Sequence, residues 1–138
     1  MVTLITGNRG SGKTKLLVQE VHKAFEASKG NVVCIDKKCK LKHEITSRVR
    51  LIATDDYAIA GYDALYGFLS GICAGDYDIT DIFVDATLRI GSRDYDALCA
   101  FLKKVVALSQ SCDKKITFTI SEREDKLPAE IFTFCEKF

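Results

Sequence analysis

Residues 1–36, MVTLITGNRGSGKTKLLVQEVHKAFEASKGNVVCID, contain the pattern from which the fold of this chain is predicted. Val2–Thr6 is a short apolar run rich in β-branched residues, as is typical of a buried strand. Lys13–Ser28 repeats apolar residues at helical spacing, and Gly30 provides the residue at which such a helix ends. Asn31–Asp36 is a nearly continuous apolar run, which indicates a strand buried on both faces. The stretch therefore predicts a strand–helix–strand unit.

The same alternation continues along the rest of the chain. Residues 37–50 are polar and basic and are predicted to form a loop. After it we predict a strand at Val49–Ala53, a helix over Tyr57–Cys73, a strand at Asp81–Ala86, a helix over Asp94–Ser111, a strand at Ile116–Ser121 and a final helix opened by Pro128. Such repeated units favour a parallel sheet with helices on both faces. The predicted fold is α/β, a three-layer sandwich with a mostly parallel sheet, built as a single domain over residues 1–138.

Composition narrows the class of protein. The chain has 138 residues, of which 47% are hydrophobic and 28% charged, which is typical of a globular domain. The net charge is +1, but residues 1–50 carry 11 Lys and Arg against 4 Asp and Glu, whereas the remaining residues carry 9 against 15. No apolar run approaches the ~18 residues of a membrane span, and no secretory signal is recognisable at the N-terminus. We expect a soluble, cytoplasmic protein without a membrane partner.

A glycine-rich segment joins the first predicted strand to the first predicted helix. Gly7-Asn8-Arg9-Gly10-Ser11-Gly12-Lys13-Thr14, called the glycine loop below, matches G-x-x-x-x-G-K-[ST] at every specified position. Glycines allow backbone angles that turn N–H groups inward around an anion, and the helix N-terminus adds a partial positive charge. Lys13 would reach the β- and γ-phosphates and take part in catalysis, while the Thr14 hydroxyl would coordinate Mg²⁺. All eight residues are predicted to bind a nucleoside triphosphate, and the alternative is a tight turn that only resembles the motif.

A carboxylate is needed as the second part of such a site. Asp85 follows the apolar residues Ile82-Phe83-Val84 and is predicted to be a metal-binding and catalytic residue beside Thr14. Asp36, at the end of the strand Asn31–Asp36, is the rival for this role. We favour Asp85 because metal-binding carboxylates normally come from the strand adjacent to the phosphate-binding loop.

These motifs give the chain a recognisable likeness. It resembles the P-loop NTPases of the RecA-like type, and its layout is particularly similar to the core of the bacterial thymidine kinases. The resemblance rests on four segments within residues 1–125, GNRGSGKT, NVVCID, DIFVDA and ITFTIS. It implies a P-loop NTPase-like fold, Asp85 as the Walker B aspartate, and Thr119 or Ser121 in the polar sensor region.

Two departures from that family are visible in the sequence. RecA-like proteins usually place a catalytic Glu at or shortly after the Walker B aspartate, whereas here no carboxylate follows Asp85 before Asp94. The zinc-binding Cys-x-x-Cys segment of the thymidine kinases is also missing, so we do not expect thymidine phosphorylation.

Several charged residues and cysteines leave alternatives open. The basic run Lys37–His43, continued by Arg48 and Arg50, would bind nucleic acid or an acidic partner, or is simply a solvated loop. Arg89, Arg93 and Arg123 follow strands that end at the edge of the glycine loop and either stabilise transition-state charge or are exposed loop residues. The six cysteines are predicted to be free thiols, mostly in the core, and Cys34, Cys39 and His43 lack a fourth zinc ligand.

The leading prediction is a protein that binds Mg-ATP and hydrolyses the γ-phosphate by in-line attack of water. ATP is favoured over GTP because no guanine-reading N-K-x-D segment occurs. The alternatives are a nucleotide-binding switch, or pseudo-ATPase, without a catalytic Glu, and a small kinase that transfers the γ-phosphate to a hydroxyl group. Because RecA-like domains often complete their sites across a subunit interface, the resemblance also implies a protein partner or a second copy of the chain.

Overall fold

The computed structural model describes all 138 residues and contains a six-stranded sheet in which every pair of neighbouring strands is parallel. The elements, in chain order, are β1 (Val2–Thr6), α1 (Lys13–Ala27), β2 (Asn31–Asp36), β3 (Arg50–Ala53), α2 (Tyr62–Gly75), β4 (Ile79–Val84), α3 (Thr87–Ile90), α4 (Tyr95–Cys112), β5 (Lys115–Ile120), α5 (Ile131–Phe134) and β6 (Glu136–Lys137). Short 3₁₀ turns follow β3 at Thr54–Tyr57 and β5 at Glu124–Lys126. The predicted α/β class and the parallel sheet are confirmed.

The sheet separates two hydrophobic cores. Consecutive residues of a strand point to opposite faces, and β2 shows this directly, because Val33 and Ile35 enter the larger core while Val32 and Cys34 enter the smaller one. Helices α2, α4 and α5 cover the larger core, whereas α1 and part of the loop after β2 cover the smaller one. The result is a three-layer sandwich. None of its helices combines the length and the apolar composition needed to cross a membrane.

The strand order is β3-β2-β4-β5-β1-β6. Helix α1 therefore has to cross β5 and β4 to connect β1 with β2, and it packs against all four of these strands. The chain leaves β1 towards the face of α1 and leaves β5 towards the face of α5. In an open parallel sheet, ligands bind in the crevice that such a reversal of direction creates at the carboxyl ends of the strands. Here that crevice lies at the ends of β1 and β5, next to the glycine loop.

Two predicted helices differ from the structure. The helix predicted from Tyr57 begins only at Tyr62, because Ala58 and Gly61 have positive φ angles of 55° and 87° that interrupt helical geometry. The helix predicted to open at Pro128 is reduced to the single turn of α5, since the chain becomes extended at Cys135 and pairs with β1 as the edge strand β6. That pairing was absent from the sequence prediction because two residues carry no recognisable strand pattern.

The basic loop after β2 has no regular structure, as predicted, but it also contributes to the core. Its apolar residues Leu41, Ile45 and Val49 are buried against α1. The loop is fixed to that helix by His22, whose Nε2 accepts a hydrogen bond from the Thr46 N–H at 3.3 Å. The loop is therefore a structural cover for one face of the sheet, with its charged side chains outside.

Candidate functional site

The glycine loop adopts a backbone conformation that depends on its glycines. Gly7, Gly10 and Gly12 have φ angles of 152°, 82° and 87°, a region that other residues rarely adopt. At Gly7 space is also limiting, since a Cβ atom there would lie 2.5 Å from Oγ of Ser11. The loop delivers the chain directly into α1, whose N-terminus has no side-chain cap.

Backbone donors are left free where the loop meets the helix. The N–H groups of Lys13, Thr14 and Lys15 precede the first helical hydrogen bond, which the Leu16 N–H donates to the Gly12 carbonyl at 3.1 Å. No other backbone or side-chain acceptor bonds these three N–H groups. Together with the dipole of α1, they form a potential binding site for an anion.

Lys13 occupies the inside of the loop. Its side chain is buried, and its Nζ donates hydrogen bonds to the Asn8 carbonyl at 2.7 Å and to Oγ of Ser11 at 3.3 Å. Burial lowers the pKa of the Lys13 ammonium below its usual range, and the negative charge of Asp85 partly opposes this change. No carboxylate lies within ion-pair distance, so the charge of Lys13 is held by the loop without being neutralised.

Asp85 is held in place by both strands that flank β4. Its N–H donates to the Ile35 carbonyl of β2 at 2.8 Å, and its Oδ1 accepts a hydrogen bond of 2.5 Å from Oγ1 of Thr119 in β5. The same Thr119 hydroxyl accepts a bond of 3.1 Å from the Ala86 N–H. Ala86 has a φ of 56°, a left-handed conformation that costs a non-glycine residue about 1 kcal/mol. Local strain is thus tolerated to fix one buried carboxylate.

The carboxylate of Asp85 meets the first turn of α1. Oγ1 of Thr14 donates to it, with distances of 3.2 Å to Oδ2 and 3.4 Å to Oδ1, across a sequence separation of 71 residues. The structure therefore brings Lys13, Thr14 and Asp85 to one place, as the sequence predicted. The reason given for choosing Asp85 is wrong, however, because β5 lies between β1 and the strand that ends at Asp85. Contact is made because α1 crosses β5 and β4, which carries its first turn towards their ends.

Asp36, the rival carboxylate, has no contact with Thr14. It is 4% exposed, and its Oδ1 accepts a bond of 2.7 Å from the Lys37 N–H, whereas its Oδ2 has no hydrogen-bond partner. Burial raises the pKa of Asp36, the Lys37 N–H lowers it in part, and the nearby charge of Asp85 raises it further. Asp36, at the end of β2, therefore lies near Asp85 but forms no hydrogen bond with Thr14.

These residues line an open cleft of about 670 Å³ at the carboxyl edge of the sheet. We call it the cationic cleft, because five of its side chains are positively charged and only Asp85 is negatively charged. The five are Arg9, Lys13, Lys40, Arg89 and Arg93. A concentration of one sign of charge in a concave surface attracts ligands of the opposite sign.

Most of these charges form no ion pair in the protein. Arg9, Lys40 and Arg89 form no ion pair and no side-chain hydrogen bond. Arg93 is the exception, since it donates to the Ser121 carbonyl at 3.3 Å and lies 3.8 Å from the carboxylate of Glu122. Glu122 also accepts a 2.6 Å bond from the Tyr95 hydroxyl, which lowers its pKa. The Glu122 carboxylate is therefore bound by Tyr95 and Arg93, and it does not line the cleft.

The sequence prediction missed part of this arrangement. The basic run after β2 is divided in the structure, since Lys40 lines the cleft while Lys37 pairs with Asp55 at 2.8 Å. Arg89 and Arg93 are cleft residues, whereas Arg123 lies outside the cleft and pairs with Asp125 at 2.7 Å. The sequence prediction therefore holds for the position of Arg89 and Arg93 at the edge of the glycine loop, but not for Arg123.

No model of a known protein family matches this chain, and no curated protein is significantly similar to it. The chemistry of the cleft therefore has to be deduced from its own residues. They offer unpaired backbone N–H groups at a helix N-terminus, uncompensated cations, and a hydroxyl beside a buried carboxylate.

Proposed function

We propose that the chain is a P-loop NTPase that binds Mg-ATP in the cationic cleft and hydrolyses its γ-phosphate. The observation that carries this proposal is the contact between Thr14 and Asp85 at the mouth of the glycine loop. A glycine turn without a ligand would not require a fixed carboxylate from another strand to meet the first hydroxyl of the helix.

Polyphosphate binding is supported by the donors around the loop. The free N–H groups of Lys13, Thr14 and Lys15 point from a helix N-terminus, which favours a phosphate group. Lys13 adds a charge held within the loop, and Arg9, Lys40 and Arg89 add charges that form no ion pair in the protein. The charge-assisted hydrogen bonds of such groups are about twice as strong as neutral ones.

The residues present also fit a magnesium ion. Thr14 and Asp85 offer a hydroxyl and a carboxylate, and oxygen atoms are the ligands that Mg²⁺ prefers. These two residues would hold the ion, which supplies neutralisation of the negative charge on the β- and γ-phosphates. Thr119 orients Asp85 for this role through its 2.5 Å hydrogen bond.

Hydrolysis requires stabilisation of the charge that develops on the transferred phosphoryl group. Lys13 would act on the phosphates from the glycine loop, and Arg89, which lines the same cleft, would act on them as a second positive charge. Lys13 is preorganised by its hydrogen bonds to Asn8 and Ser11, and neither side chain has to break an ion pair before it meets a phosphate.

A nucleotide-binding switch is the second candidate. It is favoured by the absence of any carboxylate other than Asp85 in the cleft, since Glu122 is bonded to Tyr95 and the residues after Asp85 are Ala86, Thr87 and Leu88. A switch would bind nucleotide without turnover, because nothing would activate the attacking water.

The test is thermal unfolding with and without Mg-ATP, followed by phosphate release. A ligand at ~100 times its dissociation constant adds about 2.7 kcal/mol to the free energy of unfolding, which for this size raises the Tm by on the order of 10 °C. A shift with phosphate release supports the ATPase, and a shift without release supports the switch. An unchanged Tm at millimolar Mg-ATP contradicts both.

A further inference from the structure

A second cleft lies on the other side of the glycine loop. It has a volume of about 750 Å³ and is bounded by the end of β1, by the segment after β5, by α5 and by β6. We call it the β6 cleft. Thr6 and Gly7 line the β6 cleft, whereas Gly10, Gly12, Lys13 and Thr14 line the cationic cleft. The two clefts thus share one loop.

The lining of the β6 cleft has a different chemical character. Leu127, Ala129 and Phe132 give it an apolar wall, and the Lys137 ammonium lies over one face of the Phe132 ring, 5.0 Å from its centre. Its four charged side chains are combined in two ion pairs, Arg123 with Asp125 at 2.7 Å and Lys137 with Glu124. An apolar and aromatic wall with a few polar groups is typical of sites for small organic molecules, and its charges leave no net attraction for phosphate.

The strand order gives the direction in which a bound nucleotide would extend. Asp85, at the end of β4, marks the metal-binding end of the cationic cleft, and β5, β1 and β6 follow in that order along the sheet. With strands ~4.8 Å apart, β6 lies about 14 Å from β4. A triphosphate that begins at Asp85 and follows the glycine loop therefore has its remaining part directed towards the β6 cleft.

We propose that the β6 cleft binds the purine base of the nucleotide whose phosphates occupy the cationic cleft. This inference rests on the proposed function. The base would pack against the wall formed by Leu127, Ala129 and Phe132, while the 6-amino group, the only hydrogen-bond donor of adenine in ATP, would face the carboxylates of Glu124 and Asp125. The ribose would cross the boundary between the clefts, where the Gly7 N–H donates to the Glu122 carbonyl at 3.0 Å.

The experiment compares two probes, Mg-ATP and Mg-tripolyphosphate, by isothermal titration calorimetry. Tripolyphosphate has no base, so only ATP should report on the β6 cleft. For Phe132→Ala we expect the affinity for ATP to fall about tenfold while the affinity for tripolyphosphate stays within about twofold. Phe134→Ala is the matched control, because Phe134 is also a half-buried residue of α5 packed against the main core but does not line the cleft. It should change neither affinity.

A second variant covers the case in which Phe132→Ala fails to fold. Ala129 is exposed on the rim of the β6 cleft, so Ala129→Trp can fill the cleft without disturbing the core. It should likewise weaken ATP about tenfold and spare tripolyphosphate. Equal effects on both probes, or no effect on either, would overturn the assignment of the base. If the wild-type protein binds neither probe, the proposed function itself is wrong.

Discussion

The two clefts that share the glycine loop differ in how their charges are used. In the cationic cleft, Arg9, Lys40 and Arg89 form no ion pair, and Lys13 donates hydrogen bonds only to loop oxygens. In the β6 cleft, every charged side chain belongs to an ion pair within the protein. Unpaired cations close together repel one another, which lowers stability unless an anion binds between them. Ion pairs at an exposed rim contribute little energy, so a ligand of the β6 cleft would depend on its apolar wall for affinity.

The largest expected effect is that of Lys13→Ala. Removing the ammonium from inside the loop should abolish the increase in Tm caused by Mg-ATP, a loss of roughly 2.7 kcal/mol at ~100 times the wild-type dissociation constant. Lys15→Ala is the matched control, because Lys15 is in the same helical turn but is exposed and does not line the cleft. Thermal unfolding of both variants measures the effect. If a folded Lys13→Ala protein still gains stability from Mg-ATP, the glycine loop does not bind the nucleotide.

Asp85→Asn should abolish the dependence of nucleotide binding on magnesium. Wild-type affinity for ATP should fall roughly 10- to 100-fold when Mg²⁺ is chelated, whereas the variant should bind equally weakly with and without the ion. Calorimetric titrations in the presence and absence of a chelator provide the measurement. Asp36→Asn serves as the control and should keep the magnesium dependence, because Asp36 does not contact Thr14. If Asp36→Asn loses the magnesium dependence and Asp85→Asn keeps it, Asp36 at the end of β2 is the metal ligand instead.

A pair of arginine variants compares the two clefts directly. Arg89→Ala should weaken Mg-ATP binding by roughly tenfold, because a charge-assisted bond to a phosphate is lost and no other partner holds this side chain. Arg123→Ala should change it less than about twofold, since Arg123 already pairs with Asp125 at 2.7 Å. Equal effects in a titration at fixed ionic strength would show that the contrast between the clefts has no functional meaning.

The smallest effect concerns stability at the border of the cationic cleft. Burial and the charge of Asp85 raise the pKa of Asp36, so the folded state binds more protons than the unfolded state between the ordinary and the raised pKa. Wild-type stability therefore decreases as pH rises through that window. Asp36→Asn should be about 1 kcal/mol more stable than wild type at pH 7, and the gain should vanish below the ordinary pKa of about 3.9. Urea unfolding across this pH range measures it, and a variant less stable at pH 7 contradicts the prediction.

Local sequence patterns account for the elements that could be predicted, and long-range strand pairing accounts for the strand order, which could not. The strands Val2–Thr6 and Asn31–Asp36 are found at their predicted bounds, because each is a short apolar run with a glycine at one end. The position of β5 between β1 and β4 was not predictable, since it depends on which strands pair rather than on what any strand contains. The helix expected at Tyr57 failed for a different reason, a left-handed backbone at Ala58, which is a residue without a propensity for that conformation.

The sequence by itself determined the α/β class, the glycine loop with its helix, and the choice of Lys13, Thr14 and Asp85 as a site. Each follows from residue type and short-range spacing, such as glycines where positive φ angles are required. Only the tertiary structure decided that Thr119 fixes Asp85, that Lys40 and Arg89 face the same cleft, and that the charges of the β6 cleft are paired. These contacts join residues that are distant in the chain, and they arise from strand order and from the path of α1 across the sheet, which no local pattern encodes.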